Sequence, residues 1–384
     1  MLKNQKSLFS LPDEITYLNC AYMSPMMKRV EEAGIQALRK KSDPSCIGPD
    51  DFFSDTERIR QQFSELINAK EINRSVLIPS VSYGMGNVMR NVHLETGDNI
   101  VVIGEQFPSN YYPWYRLCAE GKAELRVVSA DPIMEGRGEQ WNRKILETID
   151  HNTRLVSLGH VHWADGTLFN LLEIRKRTHD VNALMIIDGT QSVGALPFDV
   201  QQLQPDALIC AGYKWLMGPY SIGMAYYGPY FDEGVPIEEN WINRLNSEDF
   251  AGLVSYEERY QPGALRYEVG EHSNFNLVPM LLTAMEQINT WTPAAIQKYC
   301  SSITEDAING LIKGGFSVES SDFRGAHLFG VRLPKTIQIS QLKSALAEEK
   351  INVSVRGDAV RVSPHLYNSA EDINNLADVL LDLK

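Results

Sequence analysis

The sequence has few cysteines and no close pair of them. Its five cysteines are Cys20, Cys46, Cys118, Cys210 and Cys300, and no Cys-x-x-Cys pattern occurs. Zinc knuckles and disulfide frameworks need clustered or evenly paired cysteines. We therefore expect neither kind of site and interpret the five thiols as reduced.

Basic residues and long apolar runs are also scarce. The 384 residues include 36 Lys and Arg against 49 Asp and Glu, a formal net charge of −13. Nucleic acids and anionic membranes bind basic surfaces, so we expect neither as a partner. The apolar run 183–187 is too short to cross a bilayer, and residues 1–14 lack the apolar stretch of a secretory signal. We expect a cytoplasmic globular protein, in which a local cationic pocket can still bind a phosphate or a carboxylate.

The middle of the chain alternates short apolar runs with helix-like segments. Seven runs, several of them apolar throughout, are 76–78, 99–103, 125–128, 155–158, 184–187, 207–211 and 222–227. Strands that are apolar throughout are buried on both faces, and their alternation with helices is typical of parallel sheets. Helical patterns at 26–41 and 51–69 precede them. The sequence predicts an α/β fold with a mainly parallel seven-stranded sheet flanked by helices.

The last hundred residues have a different order of elements. Two helical patterns are followed by strand-like runs, a helix, two further strand-like runs and a final helix, at 279–292, 294–313, 316–319, 326–333, 339–348, 351–355, 359–363 and 370–383. This order predicts a smaller α+β domain with antiparallel hairpins. We assign 16–280 to a large domain, and 1–15 with 281–384 to the small one.

Two charged residues follow buried strands of the predicted sheet. Asp188 follows the run 184–187, and Lys214 follows the run 207–211. Ligands of an open parallel sheet bind at the carboxyl ends of its strands. A lysine buried there loses solvation and gains a lowered pKa, the condition for Schiff-base chemistry. Alternatively, Lys214 reaches solvent to pair with an acid, and Asp188 is a turn or capping residue.

A glycine-containing segment offers a phosphate site. Ser80-Val-Ser-Tyr-Gly-Met-Gly-Asn87 opens a predicted helix, whose free N–H groups and dipole can hold a phosphate. It is not a dinucleotide fingerprint, because Met89 stands where the third glycine is required. The alternative is a capped helix whose glycines allow close packing.

A histidine pair raises one further alternative. His160 and His162 lie two residues apart on an extended segment, with Asp165 close behind. Side chains at this spacing share one face of a strand, so a metal-dependent hydrolase using His160, His162 and Asp188 is conceivable. No third histidine or acidic cluster at ligand spacing supports it, and we expect no metal.

The whole chain resembles the class V (cysteine desulfurase-like) aminotransferases of the fold-type I pyridoxal-phosphate enzymes. The matching segments occur in the order of that family: Tyr17-Leu-Asn-Cys-Ala21, Phe107-Pro-Ser-Asn110, Asp188-Gly-Thr-Gln-Ser-Val-Gly194, Gly212-Tyr-Lys-Trp-Leu-Met-Gly-Pro219, Arg266-Tyr-Glu-Val-Gly270 and Arg361-Val-Ser-Pro-His365. The resemblance implies the fold-type I architecture, pyridoxal 5′-phosphate as cofactor and a homodimer with shared active sites.

The resemblance also implies roles for individual residues. Lys214 forms the aldimine with the cofactor and then moves the proton at the substrate Cα. Asp188 pairs with the pyridinium nitrogen, which keeps the ring able to accept electrons. Arg361 grips the substrate α-carboxylate through its two-pronged guanidinium. Further cofactor contacts are implied for Val81, Ser82, Phe107, Gln191 and Tyr213, with Gln191 at the phenolic oxygen and Phe107 stacked on the ring, and further substrate contacts for Ala21 and Trp163.

Departures from the family pattern narrow the expected chemistry. Desulfurases carry a mobile-loop cysteine shortly before the carboxylate arginine, whereas Cys300 is the last cysteine here. This difference argues against persulfide chemistry. Trp163 stands where desulfurases have an asparagine. An aromatic residue at this position resembles the kynureninase-like branch. Segment 270–274 replaces a glycine–threonine step that reaches the partner subunit's phosphate, so we expect Ser273 or His272 to make that contact.

Our leading expectation is an aminotransferase-like enzyme that acts on a small amino acid. The alternatives within the fold are a kynureninase-like lyase and an isopenicillin-N-epimerase-like enzyme, since the sequence does not fix which bond breaks after Cα deprotonation. A set of aromatic residues has two interpretations: it lines a moderately apolar pocket, or it belongs to the ordinary core. The set is Tyr22, Phe107, Tyr111, Trp114 and Trp163.

Overall fold

A seven-stranded sheet forms the centre of the computed structural model, which describes residues 2–132 and 136–384. Its strands are β2 (Ser75–Ile78), β3 (Asn99–Ile103), β4 (Glu124–Val128), β5 (Thr153–Gly159), β6 (Leu184–Asp188), β7 (Ala207–Ala211) and β8 (Gly223–Tyr227). Their order across the sheet is β2-β8-β7-β6-β5-β3-β4. Only β8 runs against its neighbours. The predicted mainly parallel sheet is confirmed.

The inner strands are buried on both faces. In β6, Met185 and Ile187 belong to one hydrophobic core, and Ile186 between them belongs to the core on the other face. Successive strand side chains point to opposite faces, so a strand covered on both sides must be apolar at every position. This burial explains why continuous apolar runs, rather than alternating ones, located the strands.

Helices cover both faces of the sheet and continue into the C-terminal part. They are α1 (Lys28–Ser42), α2 (Ser54–Leu66), α3 (Val81–Arg90), α4 (Tyr112–Gly121), α5 (Arg137–Thr148), α6 (Leu171–Asp180), α7 (Val200–Leu203), α8 (Leu277–Trp291), α9 (Pro293–Lys313), α10 (Ile339–Glu348) and α11 (Ala370–Asp382). Across the residues that the structure describes, none of these helices is both long and apolar enough to cross a membrane.

A smaller antiparallel sheet follows in the C-terminal part. Its order is β12-β13-β10-β9, with β9 (Ser317–Val318), β10 (Phe329–Arg332), β12 (Ser354–Arg356) and β13 (Ala359–Val362). The predicted hairpin is therefore present. A short parallel pair, β1 (Thr16–Tyr17) with β11 (Ile351–Asn352), ties the N-terminal segment to this part. The pairing continues past residue 15, where the domain division was drawn, and the division itself stays a prediction.

One glycine fixes how two segments of the sheet edge meet. Gly194 has φ +103°, and a Cβ on it would lie 2.2 Å from the carbonyl oxygen of Trp215. That approach joins the segment after β6 to the segment that carries Lys214. An L side chain at Gly194 would meet both backbone strain and a clash.

We expect Gly194→Ala to lower the free energy of unfolding by roughly 2–4 kcal/mol, the sum of an unfavourable φ and an overpacked contact. Urea denaturation measures this change. Gly310→Ala is the matched control, because Gly310 lies within α9 and a Cβ there meets nothing within 4 Å. We expect that control to leave stability unchanged or raise it by about 0.5–1 kcal/mol. Equal effects of the two substitutions would contradict the close approach at Gly194.

Candidate active site

The carboxyl ends of neighbouring strands bring Asp188 and Lys214 to one edge of the sheet. Asp188 is the last residue of β6, and β7 pairs with it in parallel register, Asp188 opposite Ile209. The chain leaves β7 at Ala211 and turns back into β8, and Lys214 lies in this turn. The two residues thus lie at the edge of the sheet where the sequence predicted that a ligand binds.

Lys214 is buried among aromatic rings. Its side chain is 8% exposed, and Nζ lies 5.7 Å from the ring centre of Phe107 and 5.6 Å from that of Tyr213. Burial lowers the pKa of Lys214 to about 8, since the charged form loses solvation, whereas the Asp188 carboxylate acts in the opposite direction. The positive charges of Arg361 and Arg356 contribute to the same lowering. A larger fraction of this amine is therefore uncharged and nucleophilic near neutral pH than of an ordinary lysine.

Two donors hold the Asp188 carboxylate. Asn110 Nδ2 donates to Oδ2 at 2.6 Å, and the N–H of Thr190 donates to Oδ1 at 2.8 Å. Asn110 is itself buried, and its Oδ1 has no hydrogen-bond partner in the part of the chain that is described. Asn110 was not predicted to take part in the site. Its position in the segment after β3, at the same edge of the sheet, could have indicated that it lies near Asp188.

The first turn of α3 offers an anion site at the same edge. Ser80 caps the helix by accepting from the N–H of Tyr83 at 3.2 Å. The N–H groups of Val81 and Ser82 have no acceptor within a helix that begins at Val81, and the helix dipole favours a negative charge there. Ser82 Oγ donates to Ser109 Oγ at 2.9 Å, which adds Ser109 to the site.

Glycine in α3 also serves packing. A Cβ on Gly84 would lie 2.7 Å from Ile209 Cγ2 of β7, so the helix rests directly on the strand that leads to Lys214. The segment 80–87 is therefore a capped helix with close packing, and the binding of a phosphate at its first turn stays a prediction.

Arg361 approaches Lys214 from the smaller sheet. It is 2% exposed; Nη1 donates to the carbonyl oxygen of Trp163 at 2.7 Å, and Nη2 donates to Ser354 Oγ at 3.3 Å. Burial, together with the positive charge of the neighbouring Arg356, lowers the pKa of Arg361 to about 10. In the described residues no carboxylate pairs with Arg361, so it is available to bind an acidic group.

A cavity of about 460 Å³ joins these side chains. Aromatic and basic residues line it: Ala21, Tyr22, Met23, Phe107, Trp163, Tyr213, Lys214, Tyr220, Arg356 and Arg361. The predicted residues Ala21, Phe107, Trp163, Tyr213, Lys214 and Arg361 are thus brought together. Arg356, Tyr220 and Met23 were missed. Tyr22, Phe107 and Trp163 of the predicted aromatic set line the cavity, and three cationic side chains line it with them.

Some predicted residues lie elsewhere. Trp114 is fully buried in the core on one face of the sheet, and Tyr111 packs against that core, so neither lines the cavity. Gln191 does not line it either. Its Nε2 donates to the Ala21 carbonyl at 3.1 Å, and its Oε1 accepts from Trp215 Nε1 at 2.9 Å. The Gln191 side chain thus links the Ala21 backbone to the Trp215 side chain. Its predicted contact with the phenolic oxygen of the cofactor stays a prediction.

Ser273 and His272 lie outside this cavity. Ser273 lines a second cavity with residues of α1 and α8. His272 is buried, and its Nε2 lies 3.0 Å from the Phe52 carbonyl oxygen. Their predicted contact concerns a partner subunit's phosphate and stays a prediction.

The histidine pair does not face the site. His162 Nδ1 lies 3.0 Å from Asp165, whose carboxylate also binds Arg137 and Arg332. His160 lines a different cavity beside Phe198. Among the described residues, no group of three or more His, Cys, Asp or Glu is arranged to hold a metal ion. The hydrolase alternative therefore has no geometric support.

The arrangement fits pyridoxal phosphate. Lys214 supplies a buried amine, Asp188 a fixed carboxylate for the ring nitrogen, Phe107 a ring beside the amine, and α3 an anion site. An amine of lowered pKa, a carboxylate and a helix start at one sheet edge are the groups that the resemblance to fold-type I pyridoxal-phosphate enzymes implies.

Comparisons with known proteins agree with this class. Residues 50–376 match the family model described as aminotransferase class-V. A probable cysteine desulfurase of Methanothermobacter thermautotrophicus is 28% identical over 85% of this chain and 83% of its own length. An uncharacterized aminotransferase of Schizosaccharomyces pombe is 23% identical over 98% and 94% of the two chains.

Solved structures share the fold. A C-DES variant, with glycine covalently linked to its pyridoxal-phosphate cofactor, superposes with a TM-score of 0.85 at 18% identity, over 99% of this chain and all of that one. The chain belongs to the aminotransferase class-V family, and its cofactor is pyridoxal phosphate.

In the cofactor-free protein, we expect the Lys214 amine to lose its proton around pH 8, whereas an ordinary lysine does so at a pH of about 10.4. The rate at which a small amine-selective reagent modifies Lys214, followed by peptide mass spectrometry across neutral to alkaline pH, measures this. Asp188→Asn should move the midpoint lower still, because the carboxylate favours the ammonium form. A midpoint at the ordinary value would contradict the burial of the amine.

Proposed function

We propose that this protein is a pyridoxal-phosphate-dependent, aminotransferase-like enzyme that acts at the Cα of a small amino acid. The observation that carries the proposal is that Lys214 and Arg361 line the same cavity. One can move a proton and the other can hold a carboxylate, the two operations that every α-amino acid substrate requires. Asp188, held by Asn110, would pair with the ring nitrogen of the cofactor.

Each side chain has a distinct task in this proposal. Arg361 binds the substrate carboxylate through its guanidinium group, whose orientation is held by the Trp163 carbonyl and Ser354 Oγ. Lys214, uncharged, takes the proton from Cα and can return it to another carbon. Asp188 keeps the ring nitrogen protonated, so that pyridoxal phosphate, when bound, withdraws electrons from Cα. Phe107, Tyr213 and Trp163 line the cavity around these groups.

The state of the cysteines argues against a persulfide carried on the protein, although several relatives are named cysteine desulfurases. No cysteine lines the cavity in the described structure. Cys20, next to Ala21, is buried, and burial raises its pKa to about 12, so the thiol stays protonated and unreactive. The exposed thiol, Cys46, lies in a short helical turn (Pro44–Cys46) that does not border the cavity.

Exchange of the Cα proton tests the proposal most simply. In deuterated water, the enzyme loaded with cofactor should incorporate deuterium at the Cα of its amino-acid substrate. Lys214→Ala should slow this exchange by about 10²- to 10⁴-fold, the usual contribution of a positioned acid–base group. Nuclear magnetic resonance follows the exchange.

Lys176→Ala is the matched control, since Lys176 lies exposed on α6, and it should exchange at the wild-type rate. Full exchange by the Lys214 variant would refute the assignment of the proton transfer.

The fate of the amino group separates transfer from elimination. With an amino acid and an added oxo acid, an aminotransferase yields a second amino acid and a new oxo acid. A lyase instead releases a side-chain fragment without needing the oxo acid, and an epimerase inverts the Cα configuration. Chiral chromatography of the products distinguishes the three. Turnover that depends on the oxo acid is the result we expect.

A further inference from the structure

Arg356 and Arg361 lie side by side because of the register of one hairpin. Ser354 pairs with Arg361 across β12 and β13, and Arg356 pairs with Ala359. Side chains two residues apart in a strand share a face, so Arg356, Ser354 and Arg361 all lie on the same side of the hairpin. Gly357 at φ +57° closes the two-residue turn. The fold thus places two guanidinium groups toward one cavity.

Arg356 has no acidic partner within the described residues. Its Nη1 donates to the Val355 carbonyl at 3.1 Å, and its buried Nε has no hydrogen-bond partner. The acid nearest in sequence, Asp358, instead accepts from Arg332 Nη1. The Arg356 guanidinium carbon lies 5.6 Å from the ring centre of Trp163, which steadies it over an aromatic face. A partly buried charge left unpaired is costly unless a ligand pairs with it.

The charges of the site leave Arg356 without an assigned partner. Lys214, Arg356 and Arg361 line the cavity, whereas Asp188 already accepts from Asn110. The anion site at α3 accounts for the cofactor phosphate, and Arg361 accounts for the substrate α-carboxylate. One cation facing the substrate remains, in a chain whose formal net charge is −13.

We infer that Arg356 binds a second carboxylate, on the side chain of the substrate, and that the substrate class is therefore an acidic amino acid. The inference rests on the proposed function. A guanidinium matches a carboxylate with two parallel hydrogen bonds, which neutral side chains cannot offer. Arg356 selects the substrate, and Arg361 holds the group common to all amino acids.

Binding of unreactive acids tests the inference without turnover. Calorimetry on the cofactor-loaded enzyme compares succinate with butyrate, which has the same carbon chain and one carboxylate fewer. Succinate should bind at least about 10-fold more tightly than butyrate, and Arg356→Gln should weaken succinate about 10- to 100-fold, the worth of a charged hydrogen-bonded pair. Butyrate should be unaffected. Glutarate against valerate repeats the comparison for the longer side chain.

Two further variants control for charge and geometry. Arg116→Gln removes one positive charge from an exposed position on α4 and should leave all four affinities unchanged. Arg356→Lys keeps the charge but loses the two-pronged geometry, and should fall between wild type and Arg356→Gln. If Arg356→Gln does not fold, the wild-type preference and the lysine variant decide.

Equal affinity of the wild type for succinate and butyrate would overturn the inference, as would equal weakening of both acids by Arg356→Gln. Cα exchange separates this failure from failure of the proposed function. If exchange on neutral amino acids persists while the dicarboxylate preference is missing, only the role of Arg356 is wrong. If no amino acid exchanges at all, the proposed function itself is wrong.

Discussion

The site depends on keeping one lysine out of water. Burial of Lys214 lowers its pKa to about 8, and the structure maintains that burial with aromatic rings around the amine and a sheet beneath it. Asp188 opposes the shift, so the amine remains near the balance of its two forms instead of becoming permanently neutral. The approach of Gly194 to Trp215 keeps the lysine segment in place. A looser contact between Gly194 and Trp215 would admit water to Lys214, raise its pKa and leave less of the amine in the nucleophilic form.

The second constraint is that the basic side of the cavity comes from another part of the chain. The hairpin of the smaller sheet supplies Arg361 and Arg356, and Trp163, from the segment after β5, contacts both. Three positive charges therefore meet in one cavity. Burial is the main cause of the lowered pKa values of Lys214 and Arg361, and the repulsion among these charges adds to it. In the proposed function, this repulsion links carboxylate binding to the protonation state of the amine. A bound carboxylate relieves that repulsion and favours the charged guanidinium.

The sequence predicted the fold well because strands buried on both faces must be apolar throughout, as Met185–Ile187 illustrates. It predicted Lys214 and Asp188 because the ends of such strands are ligand positions, and Arg361 through resemblance. Arg356 could not be predicted, since its place depends on the register of a hairpin. The sequence could not separate Trp114, a core residue, from the aromatic residues that line the cavity, because core and pocket aromatics look alike in sequence. The hydrogen bonds that occupy Gln191 likewise depend on tertiary contacts with Ala21 and Trp215.

The central claim is that Lys214 is the residue that bonds covalently to pyridoxal phosphate. Borohydride reduction of the cofactor-loaded protein, followed by digestion and peptide mass spectrometry, tests it directly. The reduced cofactor should be fixed on the peptide that contains Lys214, and the visible absorbance should be bleached at the same time. A reduced cofactor found on a different lysine, or a protein that gains no mass, would contradict the account.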